Sequence, residues 1–243
     1  MHRFYVDKLP LQGDEVALTP EDSRHALRVL RMRPGEAGEI IGEGKCYAAE
    51  LSRSDGTAVF FRLKSLLPGT EPALRITLFQ GLPKADKMEW IIQKAVEVGI
   101  TEIVPVRMNR CVVRLDDRDA EKKQERWQRI AREAGKQSGR CVIPRVSMPC
   151  SLKDLPAMSA ALEACVVPWE ETCTGGPKSF SQAHPHLKSL GILIGPEGGI
   201  AQEEIQALSP SFTPITLGPR ILRTETAGLA CTAAFLGIYG EME

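Results

Sequence analysis

The chain has 243 residues, 43% of them hydrophobic, with 31 basic residues against 31 acidic ones. That length accommodates one large domain or two small ones with a packed core, and the even charge argues against a protein coated overall with nucleic acid. No apolar run approaches the roughly 20 residues that span a bilayer, and the N-terminus, with Arg3, Asp7 and Lys8 close together, lacks a signal-peptide apolar stretch; a soluble, cytoplasmic protein without a membrane partner is expected.

In chain order, a helix-like segment from Pro20 to Arg31 stands among short β-rich runs, Gly38 to Ile41, Cys46 to Leu51 and Thr57 to Leu63, separated by glycine-containing turns. Residues 1–70 therefore read as a small β-barrel domain. The stretch Leu67-Pro68-Gly69-Thr70-Glu71-Pro72 is the best linker. From residue 73 to 243, strand-like and helix-like segments alternate: Leu74 to Gln80, Met88 to Val98, Glu102 to Val106, Glu125 to Ser138, then Ala164 to Val167. Alternation of this kind predicts an α/β domain whose parallel sheet is covered by helices. Met88, Ile91, Ile92, Ala95 and Val96 form one apolar stripe, and Trp127, Ile130, Ala131, Ala134 and Ser138 another.

Seven cysteines (46, 111, 141, 150, 165, 173 and 231) make no Cys-x-x-Cys pair, so they read as reduced thiols rather than a disulfide framework or a zinc site. His184 and His186 flank Pro185 without a neighbouring cluster of ligands, and no metal is expected. Basic residues concentrate locally: eleven Lys or Arg against six Asp or Glu between Arg107 and Arg140, and four arginines without an acid between Arg24 and Arg33. Such stretches suit phosphate contacts, although a solvated helix face explains the first equally well.

Two loops near the C-terminus carry the chemistry. Ile194-Gly195-Pro196-Glu197-Gly198-Gly199 follows the strand-like run Gly191 to Ile194 and leads into a helix from Ala201 to Leu208. Leu217-Gly218-Pro219-Arg220-Ile221-Leu222-Arg223-Thr224-Glu225-Thr226-Ala227 follows Pro214 to Leu217 and leads into a charge-free helix from Thr226. Loops between strand and helix line the ligand crevice of an open α/β sheet. Their glycines bare the backbone and Pro196 stiffens it, which suits recognition of a flat heterocycle by main-chain groups; a tight turn would explain the first loop alone, but not the mixture of arginines, aliphatics and a carboxylate in the second. Gly-x-Gly-x-x-Gly and phosphate-loop motifs are absent.

Taken together, the two loops resemble the C-terminal motifs of the SPOUT superfamily of knotted methyltransferases, and the pairing is most similar to the family that methylates N3 of a uridine in 16S ribosomal RNA. Arg3-Phe4-Tyr5-Val6, His25-Ala26-Leu27-Arg28-Val29-Leu30-Arg31, Lys84, Lys87 before Met88-Glu89, Gln93-Lys94-Ala95 and Gln137-Ser138-Gly139-Arg140 extend the match over nearly the whole chain. The chain departs from the family at Ile200 and Ala201, where an aromatic residue and a Ser or Thr are usual, so the hydroxyl that would cap the next helix is missing; Glu203 and Glu204 in its first turn partly compensate.

The resemblance implies a PUA-like RNA-binding barrel followed by a domain with a deep trefoil knot, S-adenosylmethionine held bent in the knot, and a homodimer acting on 16S rRNA of the small subunit. Carried over by position, Gly195, Pro196, Glu197, Gly198, Gly199, Leu217, Gly218, Ile221 and Leu222 would hold the cofactor, with Leu78, Val167 and Ile194 as further walls. Arg223 or Arg220 would stabilise the uracil anion, with Glu225 orienting the arginine or taking the proton and Thr224 placing a hydrogen bond. RNA would meet Arg3, His25, Arg28, Arg31, Lys84, Lys87, Arg110 and Arg140. Two other readings stay open: a sister enzyme acting on a ribose 2′-hydroxyl or a tRNA guanine, and a non-catalytic ribosome assembly factor.

Overall fold

The computed structural model describes residues 2–172 and 175–242, so Cys173 lies outside the described residues. The chain divides into two compact units, Met1–Glu71 with Gly135–Ile143, and Pro72–Ala134 with Pro144–Glu243. A segment far along the sequence thus belongs with the N-terminal unit, which differs from the simple division at the linker.

The first unit holds β1 (His2–Tyr5), β2 (Glu15–Ala17), α1 (Pro20–Arg24), β3 (Ala37–Gly42), β4 (Lys45–Ser54) and β5 (Val59–Leu67). Its sheet runs β1-β3-β4-β5-β2, with β1 parallel to β3 and the other pairs antiparallel. Phe4, Ile40, Leu51, Val59 and Phe61 fill the core, the two aromatic rings 5.4 Å apart. Thr19 caps α1 through its side chain, and after Arg24 the helix widens into a π-helical turn, His25–Val29. The expected single helix to Arg31 is therefore shorter and of two kinds.

Residues Gly135–Ile143 are fastened to this unit by polar contacts. Thr70 donates to the Gly139 carbonyl at 2.9 Å, and the Glu71 carboxylate accepts from the Cys141 and Val142 N–H groups at 2.8 and 3.0 Å. Arg140 pairs with Glu71, and Tyr5 donates to the Arg140 carbonyl. Gly139, at φ +76°, lies against the Arg3 guanidinium so closely that any side chain there would collide with it.

Among the described residues of the second unit, seven strands form one all-parallel sheet: β6 (Arg75–Gly81), β7 (Glu102–Arg107), β8 (Arg145–Val146), β9 (Cys150–Ser151), β10 (Ala164–Pro168), β11 (Ser189–Ile194) and β12 (Thr213–Ile215). Their order is β12-β10-β11-β6-β7-β8, with β9 also pairing β7. The edge is split for a local reason. Ile103 O bonds outward to Ser147 and Val106 O inward to Leu82, so Pro105, two residues from Ile103, faces outward. It has no N–H to donate there, and β8 and β9 pair on either side of it.

The helices are α2 (Lys87–Val98), α3 (Asp117–Ser138), α4 (Leu155–Ser159), α5 (Pro177–Ala183), α6 (Gln202–Leu208) and α7 (Thr224–Ile238). The apolar stripe of α2 is buried as expected, and Trp127, Ala131 and Ala134 are the buried face of α3. That helix begins two turns before the expected Glu125, in a charged segment whose sequence lacks an apolar stripe. Glu204 solves the missing cap of α6: its carboxylate accepts from the Ala201 N–H at 3.0 Å and from the Asn109 N–H at 2.8 Å. From the edge strand β12 the chain returns so that α7 packs on β11 and β6 and against α2 and α5. Gly228 permits this approach, since a Cβ there would stand 3.2 Å from a Leu78 methyl.

At β6 and β11 the connections leave in opposite directions, which is where an open parallel sheet forms a crevice. The two strand ends nearly touch: a Cβ on Gly81 would lie 2.7 Å from the Pro196 nitrogen. Backbone cannot yield as a flexible side chain does. Gly81→Ala is expected to destabilise the protein by about 1–3 kcal/mol, read as a lower urea midpoint; an unchanged midpoint would contradict this packing.

Candidate active site

Because β6, β10, β11 and β12 are parallel neighbours, the described residues that follow them (82–86, 169–172 with 175–176, 195–201 and 216–223) gather along one edge of the sheet. The glycine-rich loop after β11 is held from several sides. Gly199, at φ +71°, closes a turn to the Pro196 carbonyl at 2.9 Å, and Arg110 Nη1 donates to the Gly198 carbonyl at 2.9 Å. The Glu197 carboxylate accepts from the Lys84 N–H at 3.1 Å and meets Lys87 Nζ at 3.3 Å. Lys87 Nζ also donates to Glu225 at 3.1 Å, so one ammonium joins the glycine loop to the first turn of α7.

These contacts shift the titration of all three groups. Desolvation alone would raise Glu197, but hydrogen bonds from its own N–H, from Lys84 N–H and from Lys87 leave it below the usual range. Glu225 is lowered by its own backbone N–H and then by Lys87. The Lys87 ammonium is pushed up, chiefly by its bond to Glu225. Glu225 therefore orients a lysine rather than an arginine, a correction to the role expected from sequence, and a lowered carboxylate is a poor base.

Thr224 is also engaged. Its hydroxyl donates to the Gly195 carbonyl at 2.6 Å and accepts from Gln80 Nε2 at 3.0 Å. Gln80 is fully buried, and Nε2 also donates to the Gly81 carbonyl at 3.1 Å. Both neighbours of Nε2 are acceptors, which fixes the amide orientation and leaves Oε1 buried without a partner among the described residues. Thr224 thus ties β6, the glycine loop and α7 together instead of reaching a substrate. Thr224→Val, which keeps the shape and removes the hydroxyl, is expected to cost about 1–3 kcal/mol because two buried groups lose their partner. Thr224→Ser should restore most of it in the same denaturant titration, and equal midpoints for all three proteins would refute the tie.

A cleft of about 460 Å³ opens beside these braces, lined by Trp169, Glu170, Thr216, Leu217, Gly218, Ile221 and Leu222 among others. Ile221 is 84% exposed, an unusual position for a large aliphatic side chain. Gly218, at φ +96°, has open space where a Cβ would stand. The loop 216–222 also borders a second depression of about 610 Å³, with Ala230 and Ala234 of α7. Arg220 lines both, and Arg223, the residue before α7, is exposed with no ion pair among the described residues.

Leu217, Gly218, Ile221 and Leu222 thus line the cleft. The side chains of Leu78, Val167 and Ile194 do not: they are core, under the helices, at 3% exposure or less. The glycine loop stands next to the cleft through Gly199, where a Cβ would be 3.4 Å from Glu170 Oε1. Trp169, Glu170 and Thr216 escaped the sequence reading as single residues. Trp169 and Glu170 had one signal, their position directly after the strand ending at Pro168.

The basic candidates divide into two groups. His25, Arg28 and Arg31 are exposed on and after the π-helical turn, and Lys84 is exposed on its loop. The others are engaged within the protein. Arg3 pairs with Glu39, Lys87 joins two glutamates, and Arg110 pins Gly198. Arg140 is 3% exposed and bound to Glu71, so it is an internal strut of the first unit and not a surface phosphate contact.

Comparison with known proteins fits this arrangement. A family model described as an RNA methyltransferase domain matches residues 70–236. The Ribosomal RNA small subunit methyltransferase E of Bacillus subtilis (strain 168) is 36% identical, covering 96% of this chain and 95% of the relative. Among solved structures, the Ribosomal RNA small subunit methyltransferase E of Neisseria gonorrhoeae bound to S-adenosyl methionine is 34% identical, with a TM-score of 0.84 and 98% of each chain covered. A methyltransferase of Legionella pneumophila in complex with SAM is 32% identical, with a TM-score of 0.82, covering 97% of this chain and 96% of that one. A parallel sheet with its cleft at the strand ends, matched along its whole length at this level of identity, settles the classification: the chain belongs to the RNA methyltransferase family, with the small-subunit methyltransferases E.

Proposed function

We propose that the chain methylates N3 of a uridine in the 16S ribosomal RNA of the small subunit, with S-adenosylmethionine as donor. The observation that carries this reading is the near full-length relation to small-subunit methyltransferases E together with a cleft built by the two motif loops.

The cleft residues fit the donor. Leu217, Ile221, Leu222 and Ala227 offer aliphatic surface for a flat heterocycle, Gly218 leaves backbone bare, and Glu170 supplies one negative charge for a cationic ligand. When bound, S-adenosylmethionine supplies a methyl group made electrophilic by its sulfonium. The residues of this chain must position the base and deal with the N3 proton. Loss of that proton leaves negative charge on the two ring carbonyl oxygens, which a nearby guanidinium stabilises. Arg223, exposed and unpaired among the described residues, and Arg220, on the cleft wall, are assigned that role. Glu197, Lys87 and Glu225 keep the glycine loop and α7 in register, since positioning alone can contribute roughly 7–11 kcal/mol to such a reaction.

N3 lies on the Watson–Crick edge, so the target must be unpaired or extruded before it reacts. His25, Arg28, Arg31 and Lys84 are the proposed RNA contacts, and π-helical turns recur at functional sites. The N-terminal unit is read as PUA-like and the returning path of α7 as part of the family's knot. Ala227, Ala230, Ala233, Ala234, Gly237 and Ile238 leave one uncharged face of α7 partly exposed; a second copy of the chain is proposed to cover it.

The test is transfer of labelled methyl from S-adenosylmethionine to small ribosomal subunits lacking their native methylations, followed by nucleoside analysis. 3-Methyluridine is the expected product. Label in a ribose 2′-O-methyl nucleoside or in tRNA guanine would replace the reading with a sister activity, and failure to bind the donor would favour an assembly factor.

A further inference from the structure

Glu170 is an exposed carboxylate with neither a hydrogen bond nor an ion pair among the described residues. Its position follows from the topology. It lies two residues beyond β10, and β10 runs between β11 and β12, so its loop emerges between the glycine-rich loop and the loop 216–222. Trp169 N–H bonds to the Ile215 carbonyl at 3.0 Å and anchors the start of that loop. Oε1 of Glu170 stands 3.4 Å from where a Cβ of Gly199 would be, so a larger residue at 199 would crowd the carboxylate. The Arg110 guanidinium borders the same point at 3.7 Å, and Arg220 lines the cleft. Glu170 is the acidic residue in a lining that is otherwise largely aliphatic, and Trp169, packed partly against the core, lines the same space.

A carboxylate next to an aromatic ring is the combination that attracts an onium group, by charge on one side and by the ring quadrupole on the other. We infer that Glu170, with Trp169 beside it, binds the cationic methionyl end of the methyl donor, at its sulfonium or its ammonium. This deepens the function proposed above and rests on that reading. It gives the chain a means of preferring a charged donor to a neutral adenosine thioether, which the aliphatic wall cannot do, because that wall contacts both alike.

The test is isothermal titration of wild-type protein and Glu170→Gln with three ligands. S-adenosylmethionine carries sulfonium and ammonium, S-adenosylhomocysteine the ammonium only, and 5′-methylthioadenosine neither, with its binding read by competition. Glu170 has no internal partner among the described residues, so the variant should fold as the wild type does. The expected result is roughly fivefold weaker binding of S-adenosylmethionine, the size of a partly exposed ion pair, with methylthioadenosine unaffected. Homocysteine-analogue binding then separates the two cations: unchanged for the sulfonium, equally weakened for the ammonium. The wild-type preference for the charged donor should also shrink with added salt and be nearly flat in the variant. Equal weakening of methylthioadenosine would assign Glu170 to the ribose, and no change with any ligand would remove it from the site; either overturns the inference. If wild-type protein binds none of the three, the proposed function itself fails, a different result from both.

Discussion

Arg223→Ala is expected to lower the rate of methyl transfer by about 10²–10³-fold, the loss seen when one charge-stabilising donor is removed from a site. The fold should survive. The side chain is exposed and unpaired among the described residues, while the part of Arg223 that starts α7 is its carbonyl, which accepts from the Thr226 and Ala227 N–H groups at 2.9 Å each. An alanine keeps that carbonyl. Donor binding by the variant should therefore match wild type, with the loss confined to turnover on ribosomal subunits. Arg220→Ala is the comparison: Arg220 lines the cleft, so weakened donor binding there with turnover largely retained would divide the two roles. Wild-type turnover in Arg223→Ala would end its assignment to the chemistry.

The largest loss of stability is expected from Glu71→Ala. Glu71 receives the Arg140 guanidinium and the N–H groups of Cys141 and Val142, and the Arg140 side chain is 4% exposed. Removing the carboxylate leaves a buried cation and two backbone donors without it, at a cost of about 3–5 kcal/mol. Glu71→Gln retains one acceptor for the backbone and should lie between the two in urea unfolding. Hydrogen exchange should locate the damage in Gly135–Ile143, the segment this carboxylate fastens. A wild-type midpoint and unchanged exchange there in Glu71→Ala would show that the segment is held by packing alone.

Much of the architecture is legible without coordinates. The β-rich composition of Cys46 to Leu51 and the stripe of Met88, Ile91, Ile92, Ala95 and Val96 reflect local preference, β-favouring side chains in strands and a 3.6-residue period in helices, and a linear pattern suffices to read them. The motif loops are legible for the same reason: glycines and Pro196 restrict the backbone wherever they stand. Leu217, Gly218, Ile221 and Leu222 reach the cleft because their loop follows a strand, and neighbouring sequence settles that. Partners are another matter. Lys87 meets Glu225 across 138 residues, Gln80 meets Thr224 across 144, and Arg140 meets Glu71 across 69. Lys87, Arg140, Glu225 and Thr224 looked available for RNA or substrate until the topology brought a partner to each. Glu170 gained a place at the cleft by the same cause, since only the strand order puts β10 between β11 and β12. Sequence by itself determined most of the elements and the change from a β-rich to an alternating α/β pattern, because these depend on short-range sterics and periodicity, whereas the placing of Gly135–Ile143 with the first unit did not follow from it. Tertiary structure alone decided which charges are braces and which stay open to a ligand, because a charge is neutralised by whatever lies near it in space, however distant along the chain.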